Sequence, residues 1–343
     1  MSIISPSCIL DLNGLGPSFM YTKLLKEIFL EMGHDEKSKR EFIKFCHAQN
    51  GAVQSSALAD FTRDFEDHSP IWWYTKEPFI YVTLNRALRT QNVEILLKMK
   101  FFIEKLHKEI QQIHSKTIPT KHKTIYRGQA ISISDLEKLK KSEGGLLSFN
   151  NFLSTSTSYR VSSLFAASVR SDLDGIGIIF EIEIIPNNIS IPFASLDNIS
   201  IHSDHENEIL FSMYTVFRIG ELELIEDRLR FAKLASTNDD DEQLQRLTEY
   251  IRTETKELTA KHRLGVMMIK MGEFDKAQLL FQILLETVPS DDCAGQAYLH
   301  QQLGSTLQFK GDGLQALSNY YKTLQLIQSN NLSDYPLVAT KSF

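Results

Sequence analysis

Hydrophobic and polar positions fall into three textures along the chain. Residues 17–116 carry apolar side chains at helical spacing. In PSFMYTKLLKEIFLEMG, residues 17–33, Phe19, Leu24, Leu25, Ile28, Phe29 and Met32 share a stripe, with Lys23, Lys26 and Glu27 among the polar positions. Pro17 suits the start of this helix and Gly33 its end. EKSKREFIKFCHAQN predicts a second helix, and PIWWYTKEPFIYVTLNRALRT and NVEILLKMKFFIEKLHKEIQQIH two more, with Pro70 and Pro78 as boundary signals. Trp72 and Trp73 read as core, because large aromatics chiefly supply buried area.

Between 120 and 230 the period shortens. KTIYRG, NFLSTSTS, GIIFEIEII, NISIP, ENEILFSM and TVFRIGELELI are short, β-branched and aromatic, and separated by Gly, Pro, Asn and Ser. Only SDLEKLKKS and YRVSSLFAASVR read as helices among them. Glu181 and Glu183 alternate with apolar residues as the solvated side of a half-buried strand. Helices followed by clustered strands predict an α+β fold, not an alternating parallel sheet.

A boundary is expected at the acidic run Asp239, Asp240, Asp241 and Glu242, within a linker of residues 231–247. From 248 to 343 the chain is helical again and repeats itself. Gly265 precedes Ala277 by twelve residues and Phe281 follows four later; Gly304, Ala316 and Tyr320 repeat that spacing 39 residues on. The pattern resembles tetratricopeptide repeats, in particular the long repeats of kinesin light chains. That resemblance implies small residues where two helices pack closely and an aromatic filling the groove between repeats. A generic pair of helical hairpins is the plainer reading. The chain stops at PLVATKSF, where a third repeat would begin, so it reads as a fragment or as ending in a partial helix.

Composition narrows the function. Lys and Arg number 37 against 43 Asp and Glu, a net charge of −6, which argues against a dedicated nucleic-acid binder. Apolar residues make up 42%, enough for a sizeable core, yet no run approaches the ~18 residues that cross a bilayer. No membrane association is expected. The first residues lack the basic start of a secretory signal, and the three cysteines, Cys8, Cys46 and Cys293, are odd in number and far apart. A reducing cytoplasm is the expected location.

Three short pieces in the strand-rich region carry the chemistry: Ile125-Tyr126-Arg127-Gly128, then Phe152-Leu153-Ser154-Thr155-Ser156, then Glu206-Asn207-Glu208-Ile209. Each alone is weak; their order, spacing and strand context are specific. Together they resemble the Arg, Ser-Thr-Ser, Glu-x-Glu signature of the arginine-specific mono-ADP-ribosyltransferases, the clade of the vertebrate ecto-enzymes and the clostridial binary toxins. The resemblance spans residues 15–230, a helical part at 15–116 and a strand-rich NAD-binding part at 120–230. It implies the ADP-ribosyltransferase fold, a mixed β-sheet sandwich with N-terminal helices, followed by the all-α repeat segment.

The resemblance implies a role for each matched position. NAD is a substrate, and no metal is required. Arg127, a planar fork, suits the pyrophosphate, and Gly128 would let the backbone approach the nicotinamide carboxamide. Ser154, Thr155 and Ser156 line the nucleotide, with Ser154 holding Glu208. Glu208 lies beneath the ribose and stabilises the oxocarbenium-like state as the nicotinamide bond breaks. Glu206 orients the acceptor arginine and takes its proton. Asn151 and Phe165 match the toxin branch's nucleotide Asn and nicotinamide-stacking Phe. The toxin branch also has an aromatic three residues before the first Glu, where this chain has Ser203, so the substrate loop differs. His202 and His205 with Glu206 lack the helical spacing of zinc peptidases and are read as no metal site.

The leading expectation is therefore an NAD-dependent enzyme that transfers ADP-ribose to arginine on a protein target, with the repeats binding a protein or peptide partner. One rival keeps the enzyme but uses water as acceptor, an NAD glycohydrolase. The other is a non-catalytic repeat scaffold with a retained NAD fold.

Overall fold

The computed structural model describes residues 1–4, 25–32, 36–49, 55–76, 78–117, 122–168, 175–185, 191–197, 208–226, 228–237, 249 and 258–330. Contacts divide the chain into two units, one of residues 1–91 and 95–254, the other of 92–94 and 255–343.

The first unit opens with strand β1 (Ser2–Ile4), followed by a helical segment at 25–31 and helices α1 (Glu36–Gln49), α2 (Ser55–Asp64), α3 (Pro70–Lys76), α4 (Pro78–Thr90) and α5 (Val93–Lys116). Strands β2 (Lys123–Ser132), β3 (Leu146–Phe149), β4 (Leu153–Ser156), β5 (Gly175–Ile184), β6 (Phe193–Ser195), β7 (Glu208–Phe211), β8 (Thr215–Glu226) and β9 (Leu229–Ser236) follow. Helix α6 (Ile133–Lys140) lies between β2 and β3, and α7 (Tyr159–Ala167) between β4 and β5. The strand order is β1-β3-β8-β9-β5-β2-β4-β7-β6. All pairs are antiparallel except β5 with β9.

One joint in this sheet is weak. Strands β2 and β5 pair along their whole lengths, from Lys123 with Ile184 to Ser132 with Gly175, whereas β2 meets β4 only at Tyr126 and Ser156. The β4-β7-β6 portion is therefore free to diverge from the rest. Side chains from both portions, among them Ile125, Leu153, Phe180, Ile209, Phe211 and Phe217, form one buried cluster. Phe211 meets Phe217 edge-on at 5.6 Å, and Phe149 does the same with Phe180 at 5.4 Å.

Period-two alternation decides which residues leave this core. On β2, Ile125 and Ile131 join the main cluster, while Tyr126 packs on the other face with Ala166 and Ile179. Gly128 shares that second face, beneath α7. A Cβ there would stand 1.7 Å from the Ser162 carbonyl oxygen, and one on Gly177 of β5 would stand 2.4 Å from that of Ala166. Two glycines on paired strands thus form the seat of α7.

The helices build a second core around Phe61. Its ring packs against Phe65 at 4.8 Å and Trp73 at 5.1 Å, with Phe42, Phe79 and Phe102 around it. Trp73 is fully buried and donates Nε1–H to the Phe65 carbonyl at 3.2 Å, while Trp72 stacks on His68. Glu109 on α5 accepts the Ile71 N–H at 2.8 Å, placing a carboxylate at the start of α3. Against the strands, α5 is fastened by His107: its Nδ1 lies 2.7 Å from the hydroxyl of fully buried Ser212, in the turn after β7.

In the second unit, α8 (Ala260–Lys270) and α9 (Phe274–Thr287) form one hairpin, and α10 (Cys293–Phe309) and α11 (Gly313–Ser329) the next. Each first helix ends on a left-handed glycine, Gly272 at φ +73° and Gly311 at φ +84°, which other residues adopt only with strain. Asp292 and Asp312 accept N–H bonds at the starts of α10 and α11. A Cβ on Gly265 would stand 2.3 Å from the Phe281 ring, and one on Gly304 2.6 Å from that of Tyr320. Each aromatic therefore covers the glycine of its own hairpin.

Several elements differ from the sequence reading. Strands β1, β3 and β9 and helix α2 were not anticipated. Strand β9 takes residues 231–236, assigned above to a linker, into the sheet between β5 and β8. Its alternation is legible only in its second half, with Ala232, Leu234 and Ser236 buried and Lys233 exposed, and it abuts the acidic run. β1 likewise brings residues 2–4 to the sheet, ahead of the expected domain start. Of NISIP, residues 188–190 lie outside the described residues, and the strand described just after it is Phe193–Ser195. Pro17, Gly33 and the run Asp239–Glu242 lie outside the described residues. Among those residues no helix is long and apolar enough to cross a membrane.

Burial pushes the His107 pKa down from its ordinary 6.5 to about 3, with Lys26 and Lys108 acting the same way. Between those values the unfolded chain binds a proton that the folded chain refuses, so stability falls as pH drops through that window. Urea midpoints should decline from pH 7 toward pH 4. His107→Asn, which retains a polar group near the Nδ1 position, should flatten that slope; an unchanged slope would assign the acid sensitivity to other groups.

Candidate active site

Strand parity brings Ser154 and Glu208 together. On β4, Leu153 joins the main core, so Ser154 turns to the opposite face; on β7, Ile209 and Phe211 do the same to Glu208. In the register, Ser156 stands opposite Glu208 and Ser154 opposite Leu210, which makes Ser154 and Glu208 diagonal neighbours on one face. The Ser154 hydroxyl donates to Glu208 Oε1 at 2.6 Å, a short bond of the charge-assisted kind. From β2, Arg127 Nη1 donates to the Ser154 carbonyl at 3.1 Å. A guanidinium, a hydroxyl and a carboxylate from three strands thus converge beside the single-pair β2–β4 joint. All three side chains are half-buried.

The Ser-Thr-Ser run divides its work. Ser154 holds Glu208. Thr155 is buried, and its hydroxyl donates to the Ile209 carbonyl at 2.8 Å, pinning β4 to β7. Ser156 Oγ accepts the Ser158 N–H at 3.0 Å and shapes the turn into α7. The hydroxyls of Thr155 and Ser156 are thus engaged with the backbone. They hold the strand and turn that carry the site.

Other expected positions are distributed around this centre. Asn151 is half-buried, and its Nδ2 donates to the Phe152 carbonyl at 2.8 Å. Phe165, on α7, is 57% exposed beside the still more exposed Leu164. The close approach that Gly128 permits is to the Ser162 carbonyl of α7; a Cβ there would displace helix backbone. Glu206, His202, Ser203 and His205 lie outside the described residues. Among the described residues no cluster of three His, Cys, Asp or Glu could hold a metal ion.

The sequence reading missed two residues of this neighbourhood. Tyr74 of α3 is buried against Phe152, its ring 5.8 Å away, and its hydroxyl accepts a bond from Asn85 Nδ2 of α4 at 2.7 Å. Burial raises the Tyr74 pKa well above the ordinary phenol value, the neighbouring Tyr81 and the Glu208 carboxylate add to the rise, and Asn85 and Arg127 oppose it. The phenol therefore lies within the field of both Glu208 and Arg127. A signal existed: Asn85 interrupts the buried stripe Leu84, Ala87 and Leu88 with an amide that needs a partner.

The arrangement suits an anionic ligand that develops positive charge during reaction. Arg127 spends one N–H on Ser154, while its Nε is buried with no hydrogen-bond acceptor from the protein, so the guanidinium retains donors for phosphate oxygens. Glu208, fixed through Ser154, supplies a preorganised negative charge.

No protein-family model and no curated protein matches the chain. Among solved structures it is similar to the Vis toxin, an ADP-ribosyltransferase from Vibrio splendidus, at 21% identity and a TM-score of 0.39, over 61% of this chain and 89% of that one. The ADP-ribosyltransferase HopU1 of Pseudomonas syringae pv. tomato gives 17% and 0.39, over 59% and 98%. The C3 exoenzyme of Clostridium limosum gives 14% and 0.36, over 55% and 97%.

Gly128→Ala should destabilise the chain by about 1–3 kcal/mol, because the new methyl meets backbone that cannot rotate aside. Chemical denaturation checks this; an unchanged midpoint would mean that α7 does not need its glycine seat.

Proposed function

We propose that the chain is an NAD-dependent mono-ADP-ribosyltransferase acting on arginine side chains of a protein target. The observation that carries this reading is the Ser154–Glu208 bond at 2.6 Å with Arg127 bound to the same serine, a carboxylate held next to a guanidinium.

In this reading Arg127 binds the NAD pyrophosphate. Glu208 holds the nicotinamide ribose, where the ring becomes cationic as the glycosidic bond breaks and its electron pair leaves with nicotinamide. The carboxylate gains more from the transition state than from neutral ribose, so its contribution appears in rate. Glu206 is assigned to the acceptor. Arginine is almost never deprotonated alone, with a pKa above ~12, so a carboxylate must orient it and take its proton as the new C–N bond forms. Thr155 and Ser156 act as positioning residues. Asn151 and Phe165 are assigned to the nucleotide and the nicotinamide, and the helical repeats to recognition of a protein or peptide partner.

Glu208→Gln should lower NAD cleavage by about 10²-fold or more while leaving NAD affinity nearly unchanged. Glu206→Gln should abolish labelling of arginine, read as loss of hydroxylamine-sensitive ADP-ribose on protein, yet leave appreciable nicotinamide release. Equal loss of both activities would make Glu206 part of the cleavage machinery. Water as sole acceptor would show as nicotinamide release without any protein label, even from the unmodified chain.

Arg127→Lys keeps the charge and loses the planar fork. Calorimetric titration should show NAD binding weaker by about 1–3 kcal/mol. Undiminished affinity would place the pyrophosphate elsewhere.

A further inference from the structure

The single pair that joins β2 to β4 belongs to a row crossing the sheet. Glu181 of β5 stands opposite Tyr126 of β2, Tyr126 opposite Ser156 of β4, and Ser156 opposite Glu208 of β7. Directly paired residues share a face, so one face carries a carboxylate, a phenol, a hydroxyl and then Glu208. Tyr126 is fixed at both ends. Its ring packs with Ala166 and Ile179, and its hydroxyl donates to Glu181.

Helix α7 starts over this row. The Ser158 N–H donates to Ser156 Oγ at 3.0 Å, and the next residue, Tyr159, meets Tyr126 edge-to-face at 5.5 Å and 88°. The rest of the Tyr159 ring is open. It is 43% exposed, and among the described residues no lysine or arginine covers it in the way that Lys76 covers Trp72 at 4.4 Å. The cleavage chemistry uses neither tyrosine.

Position and charge select what this ring holds. Tyr126 is two strand spacings from Glu208, about 10 Å, so a side chain reaching a ribose above Glu208 passes beside Tyr159. Carboxylates stand at both ends of the row, and Lys233, opposite Glu181 on β9, is itself paired with Glu221 and Glu223. Arg127 leaves β2 on the face opposite to Tyr126, and Arg160, the one cation of α7, lies about 100° further round its helix. The field therefore favours a planar cation over an anionic nucleotide, and the face of a tyrosine ring binds such a cation.

From these features we infer that Tyr159, backed by Tyr126, stacks on the guanidinium of the incoming arginine. The inference rests on the arginine-transfer reading, and adds a ring to the carboxylate assigned to the acceptor.

Transfer from NAD to agmatine, a free alkyl guanidine, tests it. Tyr159→Leu keeps apolar bulk against Tyr126 and removes the aromatic face. Its KM for agmatine should rise about three- to tenfold, with kcat, the KM for NAD and acceptor-free nicotinamide release unchanged. Tyr159→Phe keeps the ring and should match the unmodified chain. An unchanged agmatine KM in Tyr159→Leu overturns the inference and leaves arginine transfer standing. So does acceptor-free nicotinamide release that falls in step with transfer, which would assign the ring to NAD. An unmodified chain that forms no agmatine product removes the arginine-transfer reading itself, and the inference with it.

Discussion

A single hydrogen bond organises the candidate site: the Ser154 hydroxyl donating to Glu208 at 2.6 Å. It joins two short strands whose own pairing covers four residues each, Leu153 with Phe211 through Ser156 with Glu208. A carboxylate at a strand's first residue has several rotamers open to it, and water competes for its oxygens. The serine removes that freedom. Because the bond lies on the face opposite the apolar core, its geometry depends on strand parity: a register slip of one residue would turn Glu208 inward among Ile209 and Phe211. The Thr155 bond to the Ile209 carbonyl guards against that slip. Adjacent residues of one tripeptide thus supply the contact and the register that the contact requires.

The rest of the first unit keeps these short strands in place. Strands β4, β7 and β6 touch the long β2 at one residue pair, so their position is set largely by what packs on them. Apolar packing comes from the shared phenylalanine cluster. Polar fastening comes from His107 on Ser212 and from the buried Tyr74–Asn85 pair beside Phe152. Buried polar contacts of this kind specify geometry more than they add stability, since each group has given up water. The seating of α7 on Gly128 and Gly177 uses the same economy of space, with backbone in contact where a side chain would intervene.

Much of this was legible before the structure. Helical spacing in 36–114 and β-rich texture in 123–225 reflect the periods 3.6 and 2.0 that burial imposes, and the repeat of Gly265, Ala277 and Phe281 at Gly304, Ala316 and Tyr320 needed only counting. The triplet Arg127, Ser154 and Glu208 was readable as a motif, and the structure brings those three together. Less accessible were the edge strand β1, at three residues too short to show a period, and β9, whose partner β5 lies some fifty residues away in sequence. The seat that Gly128 gives α7 was not legible, because a glycine's need for space names no neighbour; only the packed helix shows Ser162 beside it. Tyr74 and Asn85 were hidden for a similar reason. Their importance comes from reaching strands more than sixty residues distant, and helical periodicity reports burial, not what is met there.

Ser154→Ala addresses the central claim most directly, because it deletes the organising bond and leaves both charged groups. A hydrogen bond to a charged group contributes about 1.5–3 kcal/mol. Nicotinamide release from NAD by this variant should therefore fall by about 10- to 100-fold in kcat, with NAD affinity and melting temperature close to those of the unmodified chain. Release at the unmodified rate would show that Glu208 does not depend on Ser154, and the account of the site would be wrong.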